Sequence, residues 1–209
     1  METIHSGAWI ALIIGGISGA GKSTAAQHIA HDTGADWIQL DHLRQELRRT
    51  ILPVHNPRLH FLAQSGEEVF GMIPEELVRH TIELGQVVSG FARTIIAEHV
   101  AAGRRLVIEG DNVIPSLLAP QHIATTANLA HVRSVIVVEP DERVILERLR
   151  VRDARLRARS PAQQRLIARA TWLYGCWLAA QAQEYAVPVL PPQPWATLEH
   201  RILDAAGMY

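Results

Sequence analysis

Residues 9–24, WIALIIGGISGAGKST, constrain this chain more than any other stretch. Trp9 to Ile14 form an unbroken apolar run, the pattern of a short strand buried on both faces. Four glycines follow, at positions 15, 16, 19 and 21, and then Lys22, Ser23 and Thr24. Beyond them Ala26, Ile29, Ala30 and Thr33 recur at helical spacing up to Gly34, a helix stop signal. Gly16 to Ser23 therefore match G-x-x-x-x-G-K-[ST] between a strand and a helix, the context that the phosphate-binding loop requires. Glycines lacking Cβ let backbone N–H groups curl around an anion, and the helix that follows directs its positive end at the same point. In that arrangement Gly16, Ser18, Gly19, Ala20, Gly21, Lys22, Ser23 and Thr24 surround ATP phosphates. Lys22 reaches the β- and γ-phosphates and the Ser23 hydroxyl ligates Mg2+.

The rest of the chain reads as strands alternating with helices, hence an α/β fold with a parallel sheet covered on both sides. Asp36 to Leu40 is a second strand, and Leu43, Leu47 and Ile51 mark a helix from about His42 to the prolines at 53 and 57. Pro74, Glu75 and Glu76 open a long helix with Leu77, Thr81, Leu84, Val88, Phe91 and Ile95 on its apolar face, closed by Gly103. Leu106 to Ile108 and Ser134 to Val138 are further strands. Residues 115–131 read as a loop and a short helix. Asp141 is an N-cap, and Ser160-Pro161-Ala162-Gln163 is a capping box that starts a helix to about Tyr185, with Leu166, Ala170, Leu173 and Trp177 facing the core. Val187 to Leu190 is an edge strand, since it contains Pro188, and a final helix ends near Ala206. The 209 residues suit one domain, 1–209, with a helical acceptor-side insertion at about 52–100 and a lid at about 148–165.

Composition excludes several classes. A net charge of −1 argues against a general nucleic-acid binder. No apolar run approaches the roughly 20 residues of a membrane span, and the short apolar run near the start lacks the basic flank of a signal peptide. The lone Cys176 has no internal disulfide partner and sits among apolar residues, as a small core side chain would. A cytoplasmic setting follows from these features. Lys22 is the only lysine, and the other 19 of the 20 basic residues are arginines (20 − 1). The phosphate-binding position thus keeps the flexible ammonium that a guanidinium does not replace.

Ligands of such sheets bind beyond the C-terminal strand ends, which gathers several polar residues around the glycine loop. Asp41, at the end of the second strand, suits a group that orients or deprotonates an acceptor hydroxyl, and equally an N-cap. Arg44 and Arg48 share a helix face beside it, either as a clamp for an anionic substrate or as a solvated face. Arg49 points elsewhere. Glu109 ends an apolar strand, where NTPases place the acid of the Mg2+ shell, and Asp111 is the second candidate. Nine arginines lie between Arg143 and Arg169. Arg148, Arg152, Arg155 and Arg159 would form one stripe on a continuous helix, a lid hinged near Ser160-Pro161 whose cations meet a transferring phosphoryl group. The 11 histidines look scattered and structural, although His42 is near enough to Asp41 to touch substrate. His28 and His31 share a helix face, and no carboxylate or cysteine nearby completes a metal site with them.

These features resemble the P-loop small-molecule kinases, and among them the 2-phosphoglycerate kinase family. IGGISGAGKST is similar to that family's phosphate loop, LDHLRQELR to its D-x-x-R-x-x-x-R segment, and VIEGDNVIP to its E-G-x-H-x-x-P motif. RSVIVVEPDERVILERLRVR resembles the following strand and the start of an arginine lid. Asn112 stands where the family has histidine, Leu40 where it often has threonine, and Ser116 where glycine is common. The resemblance implies a three-layer sandwich with strand order 2-3-1-4-5. It also implies ATP-dependent phosphoryl transfer to a hydroxyl of a small, anionic acceptor such as 2-phosphoglycerate. Asp41, Arg44, Arg48, Glu109 and Asn112 would then bind the acceptor, with Lys22, Arg148 and Arg152 at the transferring phosphate. A nucleoside, antibiotic or sugar-type acceptor would use the same machinery. A regulatory NTPase is the reading from another class, but a guanine-specific N-K-x-D motif is absent. An RNA-end kinase is the third reading, and the near-neutral charge opposes it.

Overall fold

The computed structural model describes residues 9–64, 68–118 and 131–208. Five strands, β1 (Ala11–Gly16), β2 (Asp36–Gln39), β3 (Leu106–Gly110), β4 (Val132–Val137) and β5 (Val189–Leu190), form one sheet in the order β2-β3-β1-β4-β5. Every pairing is parallel. Register places Gly15 of β1 beside Gly110 of β3 and Ile136 of β4, so the three central strands end together. The strand order and the α/β class agree with the expectation from sequence.

Alternation along β1 builds two cores at once. Leu12 and Ile14 pack on one side with Ala26, Ile29, Leu178 and Ile202, whereas Ala11 and Ile13 pack on the other with Leu40, Leu84, Val88 and Ile96. The helices α1 (Lys22–Thr33), α5 (Glu142–Arg152), α7 (Pro161–Glu184) and α8 (Leu198–Ala205) serve the first layer. The second layer comprises α2 (Leu40–Thr50), α3 (Pro57–Gln64) and α4 (Pro74–Ala102). Residues 52–100, expected as an acceptor-side segment, thus supply α4, which closes a sheet face as the crossover to β3. A short α6 (Ala154–Arg157) follows α5.

Several local expectations shift. In α4 Leu77, Leu84 and Val88 are buried as expected, but the face continues through Ala92 and Ile96, and Phe91 is exposed. In α7 the buried face carries Gln164, Ala168, Tyr174 and Leu178, while Leu166, Leu173 and Trp177 are only half-buried. That helix packs against α4 on one side and α5 on another, so apolar residues nearly surround it and its phase is weak in sequence. Cys176 is exposed, on the outer side of the same helix. β4 begins at Val132 and ends at Val137, two residues earlier and one residue shorter at its end than its β-branched run suggests. β5 shrinks to Val189–Leu190, with Pro188 just outside, where its carbonyl accepts from Ile136 N. Pro115–Leu118 form a 3-10 turn, and the rest of the segment expected as loop and short helix lies outside the described residues. Among the described residues no helix is long and apolar enough to cross a membrane.

Candidate active site

The phosphate loop joins β1 to α1 as expected, and α1 spans Lys22–Thr33. Gly16, Gly19 and Gly21 have φ of 141°, 78° and 78°. Gly16 also has no room for a side chain: a Cβ there would lie 2.0 Å from Val137 O. Gly21 is the N-cap of α1 and offers no side-chain cap, and the first turn contains no acidic residue. A helix start left without an internal anion is a prepared site for phosphate oxygens.

This loop lines a cavity of about 270 Å³ together with Asp41, Glu109, Asp111 and Arg152. Lys22 is buried, and its ammonium donates to Ile17 O at 2.7 Å and to Asp111 Oδ1 at 2.6 Å. Glu109 is buried at the end of β3, where Gln39 Nε2 donates to its Oε1 at 3.0 Å. Three carboxylates and the Ser23 hydroxyl thus face one space that holds the cations Lys22 and Arg152. This oxygen donor set suits Mg2+, which keeps several waters and binds through one or two carboxylates plus phosphate oxygens. Among the described residues no three His, Cys, Asp or Glu side chains converge to cage a metal by themselves. Ser23 and Glu109 would hold Mg2+, with Asp111 adjacent.

Asp41 is not an N-cap. Gln39 occupies that position without a side-chain bond, and Asp41 lies in the first turn of α2, 3.1 Å from Arg44 Nη2. Arg44 also donates to Asn112 Oδ1 at 3.0 Å. Arg48 turns its Nε to Leu59 O at 2.7 Å, so the pair does not assemble into one clamp. Burial, then the neighbouring Arg44, lowers the Arg48 pKa, and Asp41 opposes the shift. Arg49 is exposed and pairs with Glu46. His42 is exposed as well.

The expected arginine stripe is broken. α5 ends at Arg152 because Asp153 caps a new helix, accepting from Arg155 N and Leu156 N. The interruption precedes the anticipated Ser160-Pro161 hinge by seven residues (160 − 153), although Ser160 does form its capping box. Arg152 reaches the phosphate cavity and donates to Ser18 Oγ at 3.3 Å. Arg148 instead lies 3.2 Å from Glu139 and places its guanidinium 4.3 Å from the Trp195 ring centre. Trp195 in turn abuts the phosphate loop: a Cβ on Gly21 would lie 2.2 Å from its Cζ3. Arg159 stacks over Phe70 at 4.7 Å, away from the cavity.

Three contributors were hidden from sequence reasoning. Gln39 supports Glu109 through a strand pairing that no spacing reveals. Trp195 follows a proline-rich run, and its exposed aromatic ring is the only signal it gives. Tyr174 donates from its hydroxyl to Asp111 O at 2.7 Å, from α7, 63 residues away. Complete burial, then the charge of Asp111, raises the Tyr174 pKa far above its ordinary value. The phenol stays a donor and pins the Asp111 backbone. His28 finds Glu199 of α8 at 3.3 Å, a carboxylate 171 residues on (199 − 28).

A family model described as an AAA domain matches residues 12–175. The chain belongs to this family. No curated protein matches it in sequence. Among solved structures, the AAA domain is similar to shikimate kinase from Bacteroides thetaiotaomicron, with TM-score 0.52 and 15% identity over 93% of this chain and 97% of that one. A gluconokinase from Sinorhizobium meliloti 1021 gives TM-score 0.45 and 15% identity over 95% and 91%. Deoxyadenosine kinase from M. mycoides with bound dATP gives 0.46 and 12% over 93% and 97%. At such identities the first likeness is one of fold, and it agrees with the 2-3-1-4-5 sheet described above.

Proposed function

We propose that this AAA domain transfers the γ-phosphoryl group of ATP to a hydroxyl of a small molecule. The observation that carries the reading is the shared cavity: an uncapped helix start, the sole lysine, and the carboxylates Asp41 and Asp111 face one another across it. A switch that only binds nucleotide needs a carboxylate for the Mg2+ shell, a part Glu109 would fill, and leaves Asp41 and Asp111 without a task. A transferase needs a further carboxylate to orient the acceptor hydroxyl and take its proton.

In this reading the loop amides and Lys22 hold the β- and γ-phosphates. Mg2+, bound through Ser23 and Glu109, would neutralise charge on those phosphates. Arg152 adds a positive charge where the transferred group passes. The acceptor oxygen bonds to the γ-phosphorus, the bond from that phosphorus to the β-phosphate oxygen breaks, and ADP leaves. The hydroxyl proton goes to a carboxylate of the cavity wall.

Resemblance to the 2-phosphoglycerate kinases favours an anionic acceptor with Arg44 and Arg48 as its clamp. Two observations weigh against that choice. Arg44 is already engaged by Asp41 and Asn112, and Arg48 by the Leu59 carbonyl. Nucleotide consumption by the full chain, measured across phosphorylated hydroxy acids, nucleosides, sugars and neutral ring alcohols, tests the reading. The expected result is an acceptor-dependent rate that Lys22→Ala abolishes. Consumption unaffected by every acceptor would point to a regulatory NTPase instead.

A further inference from the structure

A second cavity, of about 170 Å³, opens on the other side of Asp111. Leu77 and Thr81 of α4 form one wall, Ile167, Ala170 and Tyr174 of α7 the other, with Val69 and Thr171 completing it. Ser18 of the phosphate loop and Asp111 stand at the end nearest the phosphate cavity. Among the described residues Asp111 is the one that lines both spaces. A molecule seated between α4 and α7 therefore meets the wall of the phosphate cavity at Asp111.

The lining defines what fits. Among the described residues no lysine, arginine or histidine borders this cavity. Its hydroxyls are already spent as donors: Thr81 donates to Leu77 O, Thr171 to Ile167 O and Tyr174 to Asp111 O, all within 2.8 Å. Apart from Ser18, these side chains present only methyls, rings and acceptor oxygens. A phosphate or carboxylate lodged between α4 and α7 would meet acceptors and apolar groups, because the nearest cations, Arg152 on Ser18 and Lys22 on Asp111, are engaged at the end toward the phosphate cavity. An apolar ring loses nothing by entering, and a cavity of about 150 Å³ already accommodates benzene.

We propose that the space between α4 and α7 is the acceptor subsite, and that it takes an uncharged, single-ring alcohol whose hydroxyl meets Asp111. The proposal rests on the phosphoryl-transfer reading above. Nucleotide binding prepares the step, because the phosphates draw the Lys22 ammonium from Asp111 and free that carboxylate for the hydroxyl. The alcohol oxygen then bonds to the γ-phosphorus, the bond from that phosphorus to the β-phosphate oxygen breaks, ADP departs, and the alcohol proton is released to solvent.

The test uses the full chain with Mg2+, the β,γ-imido analogue of ATP for binding and ATP for turnover. Benzyl alcohol is the neutral probe and 2-phosphoglycerate the anionic one. Thr171→Phe and Thr81→Phe each fill the cavity from a different helix. Affinity for the ATP analogue reports whether each variant is folded. The expected result is saturable binding of benzyl alcohol, weakened about tenfold or more by either substitution, the loss of one ring's burial, while affinity for the analogue is kept. ADP formation with benzyl alcohol should fall in parallel. Failure of benzyl alcohol to bind, or binding indifferent to both substitutions, overturns the proposal. So does turnover of 2-phosphoglycerate that survives both substitutions, which leaves phosphoryl transfer standing and moves the acceptor elsewhere. Benzyl alcohol that binds in the cavity while no panel acceptor yields ADP overturns phosphoryl transfer itself.

Discussion

The Lys22 ammonium and the Asp111 carboxylate are 2.6 Å apart, with the lysine side chain 4% exposed and the aspartate 26%. They follow two neighbouring strands: Lys22 opens α1 beyond the loop after β1, and Asp111 directly follows β3, the two strands ending side by side at Gly15 and Gly110. This contact, with the Ile17 carbonyl, accommodates a buried cation. ATP phosphates must compete with Asp111 for the same ammonium.

That competition separates two substitutions. Asp111→Asn removes negative charge from the phosphate cavity, so affinity for ATP should hold or rise. Acceptor-dependent kcat should fall by about 100-fold or more, the scale of a lost general base. Asp41→Asn, whose carboxylate is already paired with Arg44, should lower kcat by a smaller factor. Nucleotide titration and steady-state kinetics on both variants check this. A larger loss in Asp41→Asn would move the proton acceptor to α2.

Gly21 and Trp195 are predicted to be coupled. Gly21→Ala meets two obstacles, the Trp195 ring at 2.2 Å and a φ of 78°. The backbone obstacle alone costs about 1–2 kcal/mol. Trp195→Ala should remove the steric part and leave the backbone part. The double variant in urea unfolding should therefore be more stable than the sum of the single effects. Strict additivity would show that the ring does not restrict Gly21.

Trp195 should also report nucleotide binding. Its ring lies against both Gly21 and the Arg148 guanidinium, so a change at the loop alters its surroundings. Fluorescence of the wild type should change on addition of ATP, and the change should shrink in Trp195→Phe. The other tryptophans, Trp9, Trp37, Trp172 and Trp177, line neither cavity and serve as the unchanged background.

Tyr174 predicts an alkaline limit to stability. Burial, aided by Asp111, raises its folded-state pKa above the unfolded value of about 10. The folded state therefore binds the proton more tightly than the unfolded chain. The associated stability is fully present below about pH 10 and is lost as pH rises beyond it. Tyr174→Phe should cost about 1–3 kcal/mol at neutral pH, because the buried Asp111 carbonyl loses its donor. It should also decline less steeply than the wild type above about pH 10. Denaturant unfolding at neutral and alkaline pH measures both effects.

The legible parts of the fold are those with local causes. Gly21 and Gly34 bracket α1 because only glycine adopts their positive φ readily. Pro74 and Gly103 bracket α4 in the same way, and Ser160 with Gln163 starts α7. The phosphate loop, with Lys22 and Ser23 on the cavity wall, belongs to this group, since the motif carries its own geometry. The arginine lid was less legible. Spacing counts arginines on an ideal helix, and Asp153 capped a new one, leaving Arg152 at the phosphates and Arg148 on Trp195. Cys176 has apolar sequence neighbours, yet the side of α7 it occupies faces out.

By itself, then, the sequence determined the strand–loop–helix that binds phosphate, the alternation that makes the sheet parallel, and the candidate carboxylates at its strand ends. These follow from backbone sterics and hydrophobic periodicity, which act within a few residues. Only the tertiary structure decided which carboxylate Lys22 holds, where Arg44 and Arg48 spend their charge, and that Asp111 divides a polar cavity from an apolar one. Those outcomes depend on side chains from β1, β3, α2, α4 and α7 meeting at one point, and separations of up to 89 residues leave no periodic trace along the chain.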